Sequence, residues 1–101
     1  MSSVMTRPAK LSDLDVQRTL GTLPGWTRRA NALVKTFTFD RFADGIAFVG
    51  TIAGIADGMD HHPDIDIRYT KILVSLSTHS AGGITQLDLD LAERIEQAVR
   101  T

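Results

Sequence analysis

The fold is decided by residues 65–78, whose sequence is IDIRYTKILVSLST. In its second half, apolar residues alternate with polar ones, which is the pattern of a strand with one buried face. Its first half is short and rich in β-branched residues. The stretch therefore predicts two antiparallel strands, 65–69 and 71–78, joined by a turn near residue 70. No Asn-Gly pair specifies the shape of that turn.

Outward from this hairpin, residues 26–31 and 32–39 predict the two strands of a second hairpin, and in the later strand alternate residues fall on opposite faces. Between the hairpins, residues 41–58 carry apolar side chains at steps of three and four, which predicts a helix with Asp40 as its cap. The helix is apolar nearly all round, so we expect one side to face the sheet and the other a second subunit. Its first stripe is Phe42, Ile46, Val49, Ala53 and Ala56, and its second is Phe48, Ile52 and Ile55.

Capping signals predict a helix at each end of the chain. Ser12 with Asp15 starts a short first helix, and Thr85 with Asp88 starts a final one. The expected buried stripe of the final helix is Leu87, Leu91, Ile95 and Ala98. The order helix, two strands, helix, two strands, helix predicts an α+β fold, a four-stranded antiparallel sheet with three helices packed on one face. We expect a flexible tail over residues 1–10 and a single domain over 11–101.

Composition narrows the class of protein. The 101 residues are 43% hydrophobic and 23% charged, as in a soluble domain, and the net charge of −1 gives no electrostatic case for nucleic acid or an anionic membrane. Without cysteine, disulfides and thiolate catalysis are excluded. The apolar run 45–56 is too short for a membrane span, and the start lacks a signal-peptide pattern. We expect a cytoplasmic protein.

All three histidines lie within residues 61–79. His61 and His79 are equally distant from the turn near residue 70, so antiparallel pairing brings them to the same end of the sheet. Three carboxylates flank them, namely Asp57, Asp60 and Asp88. Because imidazole both gives and takes a proton near neutral pH, the cluster predicts a site of general acid–base catalysis.

Three other interpretations of the cluster remain open. A metal site is possible because His and Asp bind zinc, but adjacent His61 and His62 would tend to point apart. Nucleophilic catalysis by Ser77 or Ser80 lacks a nucleophile-elbow sequence. The third alternative is a polar surface turn without chemistry.

The spacing of these residues resembles a known family. Asp57-x-x-x-His61-His62-Pro63, followed by Tyr69, His79 and Asp88, is similar to the signature of the pterin-4a-carbinolamine dehydratases. The stretch 78–85, Trp26, the aromatic pattern of residues 37–43 and the closing residues 92–96 also fit. The resemblance spans roughly residues 12–99. Ile65 departs from it, since many members have an aromatic residue there.

The resemblance implies dehydration of a 4a-hydroxytetrahydropterin to a quinonoid dihydropterin, a step in tetrahydropterin recycling that needs no cofactor or metal. Its catalytic residues would be His61, His62 and His79, with His61 and His79 as the acid–base pair and His62 orienting the pterin. Contacts to the substrate would come from Asp57, Asp60, Pro63, Thr78, Ser80 and Asp88. Asp88 has an alternative role as a helix cap only. Tyr69 and Trp26 are expected to be packing residues.

The resemblance also implies partners. We expect a homodimer or homotetramer. Some members of the family are binding modules, one as a dimerisation cofactor of a homeodomain transcription factor and others as assembly factors of an enzyme. A binding module without catalysis is therefore the alternative function, although three pocket histidines favour an enzyme.

Overall fold

The computed structural model describes residues 8–100, and its elements follow the predicted order. They are α1 (Asp13–Leu20), β1 (Thr27–Arg29), β2 (Ala32–Thr38), α2 (Phe42–Met59), β3 (Asp64–Arg68), β4 (Lys71–Leu76), a 3₁₀ turn (His79–Ala81) and α3 (Gln86–Arg100). This order confirms the α+β fold. Of the predicted tail, residues 1–7 lie outside the described part of the chain, and residues 8–10 are in neither helix nor strand.

The sheet is antiparallel throughout, with strand order β1-β2-β4-β3. Strand β4 is therefore central, and its Ile72, Val74 and Leu76 are completely buried. Their neighbours across the pairing, such as Leu33 opposite Leu76, are buried on the same face, which α2 and α3 cover. The alternate positions of the strands form the other face of the sheet, which includes Ser75 beside a cleft.

Strand β4 is shorter than predicted, because it ends at Leu76 instead of Thr78. Thr78 instead forms an isolated bridge with Gly83, and its backbone N–H donates to the Gly83 carbonyl over 2.8 Å. This tight loop turns the chain at His79, which begins the 3₁₀ turn. The predicted strand 71–78 was therefore two residues too long.

Helix α2 begins one residue later than predicted. Its N-cap is Arg41, which makes no capping hydrogen bond through its side chain. The Phe39 N–H still donates to the Thr70 carbonyl, so Asp40 lies in the connection and the prediction that it caps the helix was wrong. Among the two apolar stripes, the second faces the core: Phe48 and Ile52 are buried.

The first stripe of α2 is largely outside the core. Phe42 and Ile46 are 48% and 40% exposed. Gly45 lies on the inner side, where an added Cβ would stand 3.3 Å from Ile72 Cδ1, so the absent side chain allows the helix to approach the sheet. The whole helix, with a mean hydropathy of 1.3, is long and apolar enough to cross a membrane. Core helices of soluble proteins reach the same length and hydropathy. Here it packs against β4 and α3.

Both predicted caps of the outer helices are confirmed. The Ser12 hydroxyl accepts from the Asp15 N–H over 3.1 Å, and α3 begins immediately after Thr85. In α1, Val16 is buried while Leu14 is 54% exposed. In α3, Leu91 and Ile95 are fully buried, but Leu87 and Ala98 are only partly so.

Trp26 belongs to the core, as predicted. Its ring meets Phe37 edge-on at 6.0 Å, and its Nε1–H donates to Glu96 Oε2 over 2.9 Å. Lys35 Nζ reaches the same oxygen at 2.6 Å and also donates to the Pro24 carbonyl. This buried cluster ties the loop before β1 to β2 and α3. Tyr69, by contrast, is 74% exposed, and its ring stacks on Phe42 at 6.4 Å.

Candidate active site

A cleft of about 220 Å³ opens where β3 begins and β4 ends. This volume is below the range of roughly 300–1,000 Å³ typical of pockets that enclose a drug-sized ligand, so the cleft suits a compact molecule that stays partly open to solvent. All three histidines line it, which confirms that the hairpin brings them to one end of the sheet. The lining side chains are those of His61, His62, Asp64, Ser75, Ser77, Thr78, His79 and Ser80.

His61 is the most firmly held of the three histidines. Asp60, the C-cap of α2, has left-handed backbone angles and turns the chain, and the His61 N–H donates to the Ala56 carbonyl. The His61 side chain is 10% exposed, and its Nε2 lies 2.6 Å from Asp88 Oδ1. The Asp88 side chain is completely buried. The ring is therefore fixed from behind by a carboxylate while it borders the cleft.

Asp88 owes its position to the start of α3. Its Oδ2 accepts from the Thr85 N–H over 2.9 Å, which is the return bond of a capping box. The same oxygen accepts from the Thr78 hydroxyl over 2.9 Å. Asp88 is therefore more than a helix cap, because one carboxylate oxygen completes the cap and the other contacts His61.

His62 is held in a different environment. Its Nε2 lies 2.8 Å from Asp57 Oδ1, and the two side chains are 58% and 77% exposed. An exposed pair of this kind is screened by water and contributes little to stability. His62 is therefore positioned at the rim and retains freedom to move.

His79 and Ser80 also line the cleft, from the 3₁₀ turn that follows β4. Both residues are exposed. The turn closes at Gly82, whose φ of 75° suits glycine and whose N–H donates to the His79 carbonyl. The lining of the cleft thus includes one largely buried, oriented imidazole, His61, and one accessible imidazole, His79.

The predicted site residues separate into two groups. Five line the cleft, namely His61, His62, Thr78, His79 and Ser80. The other four surround it: Asp57 and Asp88 through their histidines, Asp60 as an exposed helix cap, and Pro63 partly buried in the connection to β3. Their roles stay predictions.

Sequence analysis did not identify Asp64 and Ser75 as lining residues, and it considered Ser77 only as a nucleophile. The register of β3 and β4 explains their position, since Asp64 lies directly opposite Ser75. Ser77 follows on the same side of the chain as Ser75. The alternation in β4 already placed both serines on the face away from the core, but the pairing with Asp64 depended on the unknown turn.

Within residues 8–100, no three His, Asp or Glu side chains are arranged so that they could share one metal ion. The carboxylate oxygens nearest to His61 and His62 belong to different residues, Asp88 and Asp57, and each bonds one imidazole. The geometry is that of two separate histidine–carboxylate pairs.

Comparison with known proteins identifies the family that the chain resembles. Residues 9–98 match the family model of pterin 4 alpha carbinolamine dehydratase. The chain is 50% identical over 88 residues to a candidate pterin-4-alpha-carbinolamine dehydratase of Roseiflexus sp. strain RS-1, covering 87% of this chain and 95% of the relative. A similar candidate of Mycobacteroides abscessus is 50% identical over 91 residues, covering 90% and 97%.

Solved structures show the same fold. A transcriptional coactivator/pterin dehydratase from Brucella melitensis superposes with a TM-score of 0.84 at 30% identity, covering 87% of this chain and 96% of that one. A pterin dehydratase-like protein identified as a RuBisCO assembly factor, at 22% identity and a TM-score of 0.58, shares the fold alone. With a family match over nearly all described residues, close relatives and the arrangement of the three histidines, the chain belongs to the pterin-4-alpha-carbinolamine dehydratase family.

Proposed function

We propose that this protein dehydrates a 4a-hydroxytetrahydropterin to the quinonoid dihydropterin by general acid–base catalysis. The observation that carries the proposal is a single cleft bordered by His61, held at 2.6 Å by buried Asp88, and by accessible His79. Family membership supplies the substrate class. The product would return to tetrahydropterin recycling in the cytoplasm.

The proposed reaction moves two protons and breaks one C–O bond. One imidazolium donates a proton to the hydroxyl at C4a, so that the oxygen leaves as water. A neutral imidazole removes the proton from N5, whose bonding electrons form the new double bond to C4a. General acid and base catalysis of this kind contributes about 10²–10⁴-fold for each group. His61 and His79 are the proposed pair because both line the cleft and because the family resemblance assigns these two positions to proton transfer.

The remaining residues of the cleft would orient the pterin ring. His62, Ser80 and Asp64 present exposed polar groups to bound substrate, while Asp57 holds His62 and Asp60 and Pro63 shape the connection. Asp88 would act through His61 as a positioning residue, because its carboxylate is fully buried. Ile65 is half-buried against the core.

The direct test follows the ultraviolet absorbance of freshly generated 4a-hydroxytetrahydropterin with and without the protein. We expect dehydration to accelerate in proportion to protein concentration. A Thr38→Val protein is the matched control, because Thr38 is exposed and pairs with Lys71 at the opposite end of the sheet. It should retain the parental rate. An unchanged rate with the parental protein would contradict the proposal.

A second role in binding has its own observation. Four large apolar side chains are exposed together around the start of α2 and the turn between β3 and β4, namely Phe42, Ile46, Ile67 and Tyr69. The Brucella melitensis relative carries a coactivator designation. We propose that this patch and the free edge of β3 mediate self-association into a dimer or tetramer.

Light scattering at micromolar concentration tests self-association. The parental protein should have at least twice the formula mass of 11.0 kDa, since burying the patch removes apolar surface from water. Ile46→Lys places a charge in the patch and should lower the mass. The matched control Gln97→Lys adds the same charge on the exposed surface of α3 and should not. A monomeric parental protein would contradict this proposal.

A further inference from the structure

Behind His61, four polar groups form one continuous buried network. The Leu87 N–H donates to the Thr85 hydroxyl over 3.2 Å, the two threonine hydroxyls are 2.8 Å apart, and the Thr78 hydroxyl donates to Asp88 Oδ2. Thr85 and Asp88 are completely buried, and Thr78 is 6% exposed. Such a network is held rigidly, because a buried polar group that loses its partner costs free energy.

The direction of these hydrogen bonds follows from counting hydrogens. A threonine hydroxyl has one hydrogen to donate. Thr78 gives its hydrogen to Asp88, so Thr85 must be the donor between the two hydroxyls. A second hydrogen reaches Asp88 Oδ2 from the Thr85 N–H. Two donors therefore converge on one oxygen of Asp88 at the N-terminus of α3, and this oxygen accepts a hydrogen bond from each.

Thr78 lines the cleft, yet its polar groups are already occupied. Its N–H donates to the Gly83 carbonyl, and its carbonyl accepts from the N–H groups of Ala81 and Gly83. Its hydroxyl donates to Asp88 and accepts from Thr85. Thr78 thus has no donor left for a substrate, which distinguishes it from Ser80 in the same wall.

We propose that Thr78 and Thr85 are positioning residues that fix His61 in one tautomer. Because Asp88 accepts hydrogen bonds from its other partners, we place the hydrogen of its contact with His61 on Nε2, and Nδ1 becomes the nitrogen that gives and takes the catalytic proton. Within residues 8–100, Nδ1 has no hydrogen-bond partner. Only the expected change in kcat rests on the proposed dehydration. The tautomer of His61 can be measured without substrate.

The experiment compares Thr85→Val with Thr85→Ser, which keeps both the hydroxyl and the cap. Nitrogen-15 NMR of labelled protein reports the tautomer of His61 directly. In the parental protein and in Thr85→Ser we expect the Nε2–H form. Thr85→Val removes the hydroxyl that donates to Thr78 and accepts from the Leu87 N–H, so the Thr78 hydroxyl is no longer held towards Asp88. In this variant we expect a mixture of tautomers, a kcat about tenfold lower and an unchanged KM, because the residue does not touch substrate. Thr38→Val, another Thr-to-Val change, should match the parental protein in all three.

Three outcomes would separate the possibilities. A parental Nδ1–H tautomer, or a Thr85→Val protein with parental spectrum and kcat, would overturn the proposal. Absence of dehydration in the parental protein would overturn the proposed function, and the spectra would still decide the tautomer. If Thr85→Val does not fold, Thr78→Val leaves the cap of α3 in place and is measured in the same way, with the same two overturning results.

Discussion

Two neighbouring histidines bind two aspartates in opposite environments. His61 and Asp88 are 2.6 Å apart with side chains 10% and 0% exposed, whereas His62 and Asp57 are 2.8 Å apart and mostly exposed. The chemical groups and distances are nearly the same. Burial makes the difference, because the first pair is embedded in a hydrogen-bond network and the second competes with water. The comparison predicts that His61 acts in one fixed orientation and that His62 adapts to its ligand.

Removing the imidazoles should give the largest effects. His61→Ala and His79→Ala should each slow dehydration by roughly 10²–10⁴-fold, the usual contribution of one general acid or base. The two stereoisomers at C4a should differ in their sensitivity, and the double variant should lose nearly all activity. Stopped-flow absorbance measures the rates, and far-ultraviolet circular dichroism checks the fold. A double variant with the parental rate would rule out catalysis here and favour a binding module.

The aspartates test the comparison itself. Asp88→Asn should lower kcat by roughly 10–100-fold, because an amide no longer fixes the tautomer of His61. Asp57→Asn makes the same change in the exposed pair and should leave kcat close to parental. Steady-state kinetics measures kcat for both variants and for the parental protein. Equal losses would show that burial of the pair is irrelevant to the rate.

Stability should show the same contrast on a smaller scale. Asp88→Asn should lower the free energy of unfolding by about 1–3 kcal/mol, because a group in a buried network loses a suitable partner. Asp57→Asn should change it by less than about 0.5 kcal/mol, as expected for an exposed site. Urea unfolding at one fixed protein concentration measures both. A large loss in Asp57→Asn would mean that this pair is less exposed in solution.

Removing metal ions should have the smallest effect. The proposed proton transfers use imidazoles alone, so dialysis against a strong chelator should leave the rate unchanged. The assay is repeated after dialysis and again after addition of zinc. A large loss that zinc restores would contradict the acid–base proposal.

Sequence analysis predicted correctly those features of the site that depend on residues close together in the sequence. The equal distances of His61 and His79 from the turn placed them together, and the capping signal at Thr85 and Asp88 was correct in detail. These predictions depend on the period of a strand and on the first turn of a helix, both of which are short-range.

The wrong predictions concern positions whose local structure depends on a contact with a residue distant in the sequence. Aspartate is a common N-cap residue, so Asp40 was predicted to cap α2. The hydrogen bond from the Phe39 N–H to the Thr70 carbonyl keeps Asp40 in the connection, and the N-cap is Arg41. Ser77 and Thr78 continue the alternating pattern of β4, but Thr78 pairs with Gly83 in an isolated bridge and the strand ends at Leu76. The hydroxyl chain from Thr85 to Asp88 was not predicted, because it needs that same loop to close.

The order of strands in the sheet has a consequence for folding kinetics. The three proposed catalytic histidines, and the aspartates that contact His61 and His62, lie between residues 57 and 88. Within this range β3 pairs with β4 as a local hairpin. A β-hairpin forms in about 1–10 μs. Other contacts join segments that are far apart in the chain, namely the pairing of β2 with β4 and the hydrogen bonds of Trp26 and Lys35 to Glu96. Contacts between distant segments form slowly, because a long loop must close first. The hairpin that carries the three histidines should therefore form early, and burial of His61 should report the last step, when α3 docks.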